Sequence, residues 1–486
     1  MFSSELWQKS GVSTYSIDQS IRFPRVSNTS GGYMEKTYSG AGDRTAWTFS
    51  TWFKLGDCNG MATGSNMYYQ FFGCETATND AGRTMILINN DSSASGEMQI
   101  RLQGHNTFYL QTTRKVRDPA SWYHLVVVWD SDNGTSGNRC RLYINGERQT
   151  DFAQENYPSS GAEGGINLAA KHQIGTGWNI SGSAINYLFD GYMADIVFLD
   201  GTATDASSFG ETNDDGIWIP KDVSGLTFGT NGFWIDGRDS SAFGDDEAGS
   251  NDFSTSGLAA HDSMLDSPTN NFAVLNPVDT FGKLAGEIRN GNLELKDNSA
   301  SVYVHGRATF GFDVTDSDGF YWESCDVVDG SGIGGICEDN AVIPSGSDVG
   351  FAGCRGYNSV NTGNHFKLEN TTYASTDLGI ASNAGDIVQF CVKNGKLFIG
   401  INGTYVSSGN PATEANPLFT GLTGIFMPFG GLYSGISYNT VYNFGQDGTF
   451  GGNKTAQGNT DANGYGNFFY APPSGAKALC SKSLGS

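Results

Sequence analysis

Apolar and polar residues alternate with a period of two along most of this chain. The alternation is clearest in TAWTFSTWFKL (45–55), WYHLVVVWD (122–130) and RCRLYINGE (139–147), and Gly, Asn, Asp or Pro residues separate most such runs. A period of two predicts β-strands whose side chains point alternately to opposite faces of a sheet. No helical pattern lies between the runs, so we predict antiparallel two-sheet sandwiches rather than parallel βαβ units.

The pattern also divides the chain. The alternation begins near Tyr15, fades into acidic, Gly- and Ser-rich sequence after about residue 210, and resumes near Asp279. With 486 residues the chain exceeds what one hydrophobic core usually serves. We therefore predict an all-β protein of two antiparallel jelly-roll sandwiches joined by a connector that packs on them. The predicted parts are an N-terminal arm (1–14), a first sandwich (15–210), the connector (211–278), a second sandwich (279–480) and a C-terminal tail (481–486).

Both halves carry a strand that is closed by an Asn-Gly pair. The pairs are Asn145-Gly146 in LYINGE and Asn402-Gly403 in LFIGINGTY. This dipeptide readily adopts the two positive φ angles of a type I′ turn, so both sites are predicted to be tight hairpins.

Composition narrows the choice of partners. The chain has 51 acidic and 28 basic residues, a net charge of −23, and 67 glycines among many aromatics. Such a charge opposes binding to nucleic acid and to anionic membranes, because both depend on Lys and Arg at the phosphate groups. No apolar run approaches the length that spans a bilayer, and the first residues lack the pattern of a secretory signal, so we expect no membrane insertion.

The eight cysteines show no Cys-x-x-Cys pair and no histidine at zinc-ligand spacing. Cys325 and Cys391 lie inside apolar strand patterns, where a small thiol packs well. We expect mostly free, buried cysteines and no structural zinc.

Four segments of the first half carry a family resemblance: AWTFSTWFKLGD, WYHLVVVWD, RLYINGERQT and FDGYMADIVFLDGTATDASSFGE. Together they resemble the laminin-G-like, concanavalin A-like jelly roll over residues 15–210. In the second half, FYWESCDVV, GDIVQFCVKNGKLFIGINGTYV, MPFGGLY and VYNFGQ resemble a SPRY-type sandwich over residues 279–480. Both resemblances imply recognition of a glycan or a protein through loops.

A third resemblance concerns the connector. The segments GIWIPKDVSGLTFGTNGFWIDGRDSS and DSPTNNFAVLNP look like sequences of structural and tail-associated proteins of aquatic bacteriophages. This resemblance implies a place on a virion.

The sequence offers little for catalysis. Glycosidases of the concanavalin-like fold carry paired carboxylates in a Glu-x-Asp-x-x-Glu arrangement, and this chain has none. We interpret Asp190 and Asp195 as turn and edge residues, and His124 as a packed strand residue. We therefore expect a protein that is not an enzyme.

Candidate binding residues lie in Gly-, Ser- and Asn-rich stretches. Trp178, Tyr357 and Tyr433 are candidates for stacking on a sugar from exposed loops. Calcium is the one cofactor to consider, because Asp-rich loops supply the hard oxygen ligands that it requires. Its candidate ligands are Asp236, Asp239, Asp245 and Asp246 with the neighbouring Glu247 and Asp252, and a second loop of Asp130, Asp132 and Asn133.

These observations lead to one function hypothesis and two alternatives. The first is a non-enzymatic virion surface protein, such as a phage tail fibre, appendage or receptor-binding protein, that recognises a host-surface glycan or protein. It would be made in the host cytoplasm and act as a homo-oligomer, with a trimer expected, attached to other virion proteins. The alternatives are a purely structural capsid-decoration or tail component without a ligand, and a polysaccharide depolymerase that assembles a carboxylate pair from distant strands.

Overall fold

The structure, a computed structural model, divides the chain into two compact units, and the boundary in the sequence falls between Thr269 and Asn270. The predicted arm (1–14) lies outside the residues that the structure describes. The described residues are 15–27, 29–56, 67–76, 82–90, 98–104, 108–178, 185–281, 288–296, 303–328, 332–342, 350–359, 364–370, 372–433 and 438–484.

Strands make up nearly all of the regular structure in the first unit. They are β1 Ser20–Phe23, β2 Arg25–Ser27, β3 Ser30–Gly31, β4 Tyr33–Thr37, β5 Ala46–Leu55, β6 Met67–Glu75, β7 Arg83–Asn90, β8 Gln99–Gln103, β9 Tyr109–Lys115, β10 Trp122–Asp130, β11 Cys140–Ile144, β12 Glu147–Arg148, β13 Phe152–Asn156, β14 Lys171–Ile174, β15 Gly177–Trp178, β16 Ile185–Asn186, β17 Gly191–Asp200, β18 Gly210–Thr212, β19 Trp218–Pro220, β20 Phe233–Ile235, β21 Ser254–Ser256 and β22 Ser263–Met264. Single 3₁₀ turns occur at Ser136–Asn138, Ala206–Ser208 and Ala260–Asp262.

Two antiparallel eight-stranded sheets form the first unit. The first sheet has the order β12-β11-β10-β5-β17-β1-β22, with β20 also paired to β17, and the second has the order β13-β9-β8-β7-β6-β14-β4-β21. Between them lies an aromatic core, in which Phe49 of the first sheet stacks on Phe72 of the second at a centroid distance of 5.2 Å. The predicted period of two places Trp47, Phe49 and Phe53 of β5 in this core.

Most of the predicted connector (211–278) is part of the first unit, although its sequence lacks a strand pattern. Residues up to Thr269 belong to the first unit, because β20 pairs with β17, β21 with β4 and β22 with β1. Phe209, Val223 and Trp234 pack on the outer face of the first sheet. The apolar residues that do this are isolated among Gly, Ser and Asp, so the segment shows no periodicity although it is part of the fold.

The second unit is also almost entirely β. Its elements are β23 Leu275–Phe281, β24 Ile288–Arg289, β25 Glu294–Lys296, β26 Tyr303–Ala308, β27 Phe312–Asp313, β28 Phe320–Val328, β29 Gly332–Glu338, β30 Cys354–Asn358, β31 Asn364–Glu369, β32 Thr372–Ala381, β33 Ile387–Lys393, β34 Lys396–Ile401, β35 Thr404–Tyr405, β36 Ile425–Tyr433, β37 Asn439–Asn443, a 3₁₀ turn at Val406–Ser408 and the helical turn α1 Ser481–Leu484.

These strands form an eight-stranded and a seven-stranded antiparallel sheet. The orders are β23-β26-β36-β29-β30-β31-β32, with β27 on β36, and β24-β25-β37-β28-β33-β34-β35. Trp322 and Phe390 stack at 5.1 Å, and Tyr357 of the other sheet packs on Phe390 at 6.1 Å. The prediction of an all-β chain of antiparallel sandwiches is confirmed.

The chain end differs from a free tail. Residues 481–484 form α1, and the buried Ser483 donates its hydroxyl to Asp461 Oδ2 at 2.8 Å. Residues 481–484 of the predicted tail are thus tied to the second unit by a buried hydrogen bond.

Both predicted hairpins are confirmed. Asn145 and Gly146 have φ values of 51° and 76°, and Asn402 and Gly403 have 48° and 82°. They join β11 to β12 and β34 to β35 as two-residue turns.

The described cysteines are free and buried, as predicted, whereas Cys58 lies outside the described residues. Among the described helices, none has the length and hydropathy that a membrane span requires.

Candidate functional site

Three of the four acidic residues predicted to bind calcium, Asp236, Asp239 and Asp246, accept hydrogen bonds within turns. Asp246 accepts backbone N–H groups of Trp234 and Asn251 at 2.9 Å, and Asp239 accepts that of Ser241 at 2.8 Å. Asp236 pairs with Arg238 at 3.1 Å. Across the described residues, no three His, Cys, Asp or Glu side chains converge to hold a metal ion. A calcium site at Asp236, Asp239, Asp245 and Asp246 therefore stays a prediction, and in this structure the carboxylates of Asp236, Asp239 and Asp246 accept backbone N–H groups of their own turns.

The loop at Asp130 shows the same use of carboxylates. Asp130 Oδ2 accepts the side-chain amide of Asn133 at 2.9 Å and lies 3.4 Å from Arg141 Nη1.

Only one of the three predicted stacking aromatics has a described side chain. Tyr357 lies in β30, is 1% exposed and stacks on His365 at 4.3 Å. It is a core residue, so its prediction as an exposed loop aromatic is wrong. The glycines near it (GCRGYN) are typical of a loop in sequence, but in β30 they allow neighbouring strands to pack closely. Trp178 ends β15 and Tyr433 ends β36, and their side chains lie outside the described part, so both stay predictions.

Asp195 occupies an inner strand rather than a turn or an edge. It lies at a bulge in β17, with φ of 44°, where the pairing with β5 shifts register. Its carboxylate accepts the Trp234 indole N–H and the Tyr15 hydroxyl, each at 3.0 Å. Burial raises the pKa of Asp195 to about 6. Asp190 is buried as well.

His124 is a packed strand residue, as predicted. Its ring stacks on Trp52 at 4.4 Å, and its Nδ1 accepts the Trp218 indole N–H at 3.0 Å. Nε2 therefore carries the ring proton, and this N–H group donates a hydrogen bond to Ser50 Oγ at 2.9 Å. Burial lowers the pKa of His124 to about 3, so the imidazole is neutral.

A buried His–Ser–Asp chain in the second unit has the wrong order for a nucleophile. His365 Nε2 contacts Ser382 Oγ at 2.8 Å, and Ser382 Oγ donates to Asp326 Oδ2 at 2.8 Å. In a catalytic triad the imidazole lies between carboxylate and hydroxyl, whereas here the hydroxyl is the central group. The chain therefore holds strands together and does not activate Ser382.

The outward-facing side of the second sheet carries a candidate site that the sequence analysis does not predict, and its central side chains Asn89, Gln99, Arg101 and Gln111 are buried. In β8, Ile100 and Leu102 face the core, so Gln99, Arg101 and Gln103 face outward. The strand register places Asn89 beside Gln99, Gln111 beside Arg101, and Tyr109 beside Gln103. We call this surface the polar face, defined by Tyr68, Asn89, Gln99, Arg101, Gln103, Tyr109 and Gln111.

Gln111 is the centre of the polar face. Its Oε1 accepts Arg101 Nε at 3.0 Å and Nη2 at 2.7 Å, the Tyr109 hydroxyl at 3.2 Å and Asn89 Nδ2 at 3.3 Å. Its Nε2 donates to Gln99 Oε1. The network fixes the side chains in position before any ligand arrives, which lowers the entropic cost of binding.

Arg101 lies among aromatic rings and amides. Its side chain is 7% exposed, and its guanidinium carbon is 5.3 Å from the ring centroid of Tyr68 and 4.6 Å from that of Tyr109. Within the described residues, no carboxylate forms an ion pair with it.

The polar face reaches solvent along one edge. Gln154 and Asn156 of β13 pair with Gln111 and Tyr109 and are exposed. Lys115, which pairs with Gln99, is exposed too. A ligand could therefore approach from the β13 side.

These side chains suit the recognition of sugar hydroxyls. Amides donate and accept at once, and half-exposed tyrosine rings offer flat apolar surfaces beside them. The sequence signal was the alternation of Gln99, Arg101 and Gln103 with apolar residues in one strand and of Tyr109 with Gln111 in the next, but it lies in strands rather than in loops.

Residues 28–207 match the Laminin_G_3 family model, described as the concanavalin A-like lectin/glucanases superfamily. The first unit therefore contains a laminin-G-like, concanavalin A-like domain, which the match confirms for less than half of the chain. No curated protein sequence matches the chain significantly.

Several solved structures are distantly similar. A heptameric SAP-like pentraxin of Limulus polyphemus is 18% identical over 39% of this chain and 80% of its own, with a TM-score of 0.28. The SPRY domain of human HERC1 is 14% identical over 35% of this chain and 96% of its own, with a TM-score of 0.26. Tailspike protein 2 of Escherichia coli O157:H7 bacteriophage CAB120 is 12% identical over 41% of this chain and 28% of its own, with a TM-score of 0.26. Similarities this low carry no argument about function, and the SPRY-type resemblance of residues 279–480 stays a prediction.

Proposed function

We propose that this chain is a non-enzymatic recognition protein whose first unit binds a host-surface glycan on the polar face. The observation that carries the proposal is the network centred on Gln111, which joins side-chain amides, a guanidinium and two tyrosine rings on one sheet surface of a lectin-like domain. Glycan sites need a few fixed polar groups beside a flat apolar surface.

Unused polar atoms support the same assignment. Asn89 Oδ1 is buried and, within the described residues, accepts no hydrogen bond. Buried acceptors without a donor are costly, and a sugar hydroxyl would supply one.

We also propose that no bond of the glycan is broken. Glycoside hydrolysis needs two carboxylates across the sugar, and the residues that define the polar face include no Asp or Glu. Elsewhere in the described chain, buried Glu323 is occupied by the backbone N–H groups of Phe469 and Tyr470 at 2.9 and 2.8 Å.

The proposed place of action is the virion surface, reached after synthesis in the host cytoplasm. The support for this step is the resemblance of the 211–278 segment to phage structural proteins. A homo-oligomer, with a trimer expected, would present several polar faces to one cell surface and so convert weak single contacts into strong attachment. The arm (1–14) would join other virion proteins.

The test combines binding and chemistry on the full chain. Purified wild-type protein is applied to a glycan array and to whole cells, and bound protein is scored together with newly released reducing ends. We expect saturable binding without release. Replacing Gln111 by Leu should lower the affinity at least about tenfold, because the hub amide is lost. The matched control is Gln149→Leu, since Gln149 is also buried but its side-chain amide donates only to the backbone oxygen of Glu147 among the described residues.

Each other outcome contradicts a named part of the proposal. If no glycan or cell binds, the recognition role is wrong and a structural virion component is the better account. If binding occurs but Gln111→Leu and Gln149→Leu bind alike, the polar face is not the site. Released reducing ends would establish a depolymerase.

A further inference from the structure

We infer that the polar face selects anionic glycans, and that Arg101 binds a carboxylate or sulfate group on the sugar. The inference rests on the proposed glycan-binding function and adds the chemical class of the ligand. It depends on the state of the Arg101 guanidinium.

Arg101 has more donors than the protein uses. A guanidinium carries five N–H groups. Nε and Nη2 donate to Gln111 Oε1 at 3.0 and 2.7 Å, and Nη1 donates to Gln103 Oε1 at 3.3 Å. Among the described residues no acceptor faces the second N–H of either terminal nitrogen. Nη1 and Nη2 therefore each keep one N–H group without a described acceptor. A carboxylate or sulfate can accept these two N–H groups in two parallel hydrogen bonds.

The charge of Arg101 is likewise uncompensated. Burying a cation is costly unless an anion pairs with it. The first unit meets this requirement at Lys54, whose Nζ lies 2.7 Å from Asp266 Oδ2, and at Arg22, whose Nε lies 3.0 Å from Asp262 Oδ1. Arg101 is 7% exposed, yet its described partners are neutral amides and tyrosine rings. A ligand anion would form with Arg101 the kind of buried ion pair that Asp266 forms with Lys54.

Local charge favours an anion at this place in an otherwise acidic protein. The chain carries a net charge of −23, yet residues 98–115 contain no Asp or Glu. Lys115 pairs with Gln99 in the strand register and is exposed at the edge of the polar face. The polar face thus presents positive charge where most of the surface would repel an anion.

A site for neutral sugars would need only the amides and tyrosines. Gln99, Gln111 and Asn89 could read hydroxyl groups without a cation, and an apolar or neutral side chain in place of Arg101 would avoid the cost of burying charge. The arginine therefore points to a ligand with a negative group.

The decisive experiment uses the wild-type full chain and needs no variant. Dissociation constants are measured for three pairs of sugars that differ only in whether their anionic groups are present: sialyllactose and its carboxyl methyl ester, oligogalacturonate and its methyl ester, and a sulfated carrageenan oligosaccharide and its desulfated form. We expect the anionic member of at least one pair to bind about tenfold or more tightly than its neutral counterpart, with the preference decreasing as salt rises.

Variants then assign the preference to Arg101. Arg101→Gln should reduce the preference to about onefold while neutral sugars still bind, and Arg101→Lys should retain part of it, because the charge stays but the fork is lost. The matched control is Arg148→Gln, which removes one positive charge from β12 of the first sheet and should leave the preference unchanged.

The two proposals fail in different ways. If wild-type protein binds the neutral and anionic members of every pair equally, the anion inference is overturned while the glycan-binding function stands. If no sugar of either kind binds, both are overturned. If the preference exists but persists in a folded Arg101→Gln protein, the anion is bound elsewhere and the inference is wrong.

Discussion

The two outer faces of the first unit use buried polar side chains in opposite ways. On the first sheet, Lys54 points outward from β5, and the chain covers it with its own segment and pairs it with Asp266. On the second sheet, Arg101 also points outward, but its described partners are amides and rings. Where the chain itself covers a face, the polar groups are matched internally. On the second sheet, no carboxylate of the described residues pairs with Arg101, and we propose that a ligand supplies the anion.

The same contrast holds for the aromatic residues. On the first sheet, Trp52 and His124 stack on each other, and Trp218 of the covering segment stacks on His124 and donates its indole N–H to it. On the second sheet, Tyr68 and Tyr109 stay half-buried beside Arg101. One set of rings stabilises the fold, and the other supplies a surface for binding.

The largest effect is expected where the covered face loses a charge partner. Asp266→Ala leaves Lys54 buried without its carboxylate and removes the acceptor of the Trp122 indole N–H, which lies 2.9 Å from Asp266 Oδ1. We expect the free energy of unfolding in urea to fall by about 3 to 5 kcal/mol. The control Glu163→Ala breaks a surface pair with Arg44 and should lower it by less than about 1 kcal/mol. Equal losses in free energy of unfolding for the two variants would show that the buried pair of the covered face contributes no more than a surface pair.

The next effect concerns pH and Asp195. The folded pKa of this carboxyl is about 6, above its ordinary value of 3.8, because of burial. Between these values the folded protein holds a proton that the unfolded chain has released, so acidification through this window stabilises the fold. Relative to Asp195→Asn, wild-type protein should gain about 2 kcal/mol in free energy of unfolding between about pH 7.5 and about pH 4.5. A difference that is constant with pH would mean that the carboxyl has its ordinary pKa.

A pair of tyrosine variants compares the faces directly. Tyr109→Ala on the polar face should lower glycan affinity about tenfold and reduce the free energy of unfolding only slightly, because the Tyr109 ring packs on the Arg101 guanidinium and not on a hydrophobic cluster. Tyr143→Ala on the first sheet, where Tyr143 packs on the covering cluster, should lower the free energy of unfolding by about 2 kcal/mol and leave binding unchanged. Array binding and urea titration measure both. The reverse pattern would exchange the roles of the two faces.

The smallest effect is expected from calcium. Adding calcium or a chelator should shift the melting temperature by less than about 1 °C, because Asp246 and Asp239 already accept backbone N–H groups. A rise of several degrees with calcium would show that these carboxylates rearrange to bind the ion.

Sequence pattern was a reliable guide to the strands and an unreliable one to the site. The runs around Phe49 and Val126 are β5 and β10, and both Asn-Gly turns have the expected backbone angles. Tyr357, surrounded by glycines, was interpreted as a loop residue and is instead 1% exposed in β30. Glycine marks both a turn and a strand that needs close approach, and one sequence does not distinguish them.

What the sequence determined by itself was the strand content, the tight hairpins and the two-sheet architecture, because a period of two and an Asn-Gly turn depend on neighbouring residues alone. Only the tertiary structure decided which outward-facing side chains would have an ion-pair partner within the chain. Lys54 and Asp266 are far apart in sequence, and their pairing depends on how the covering segment returns over the first sheet. The polar face is likewise assembled from four strands whose register places Tyr68, Asn89, Arg101 and Gln111 together. Long-range pairing creates both environments, so an alternating pattern predicts that a side chain points outward but not what it meets there.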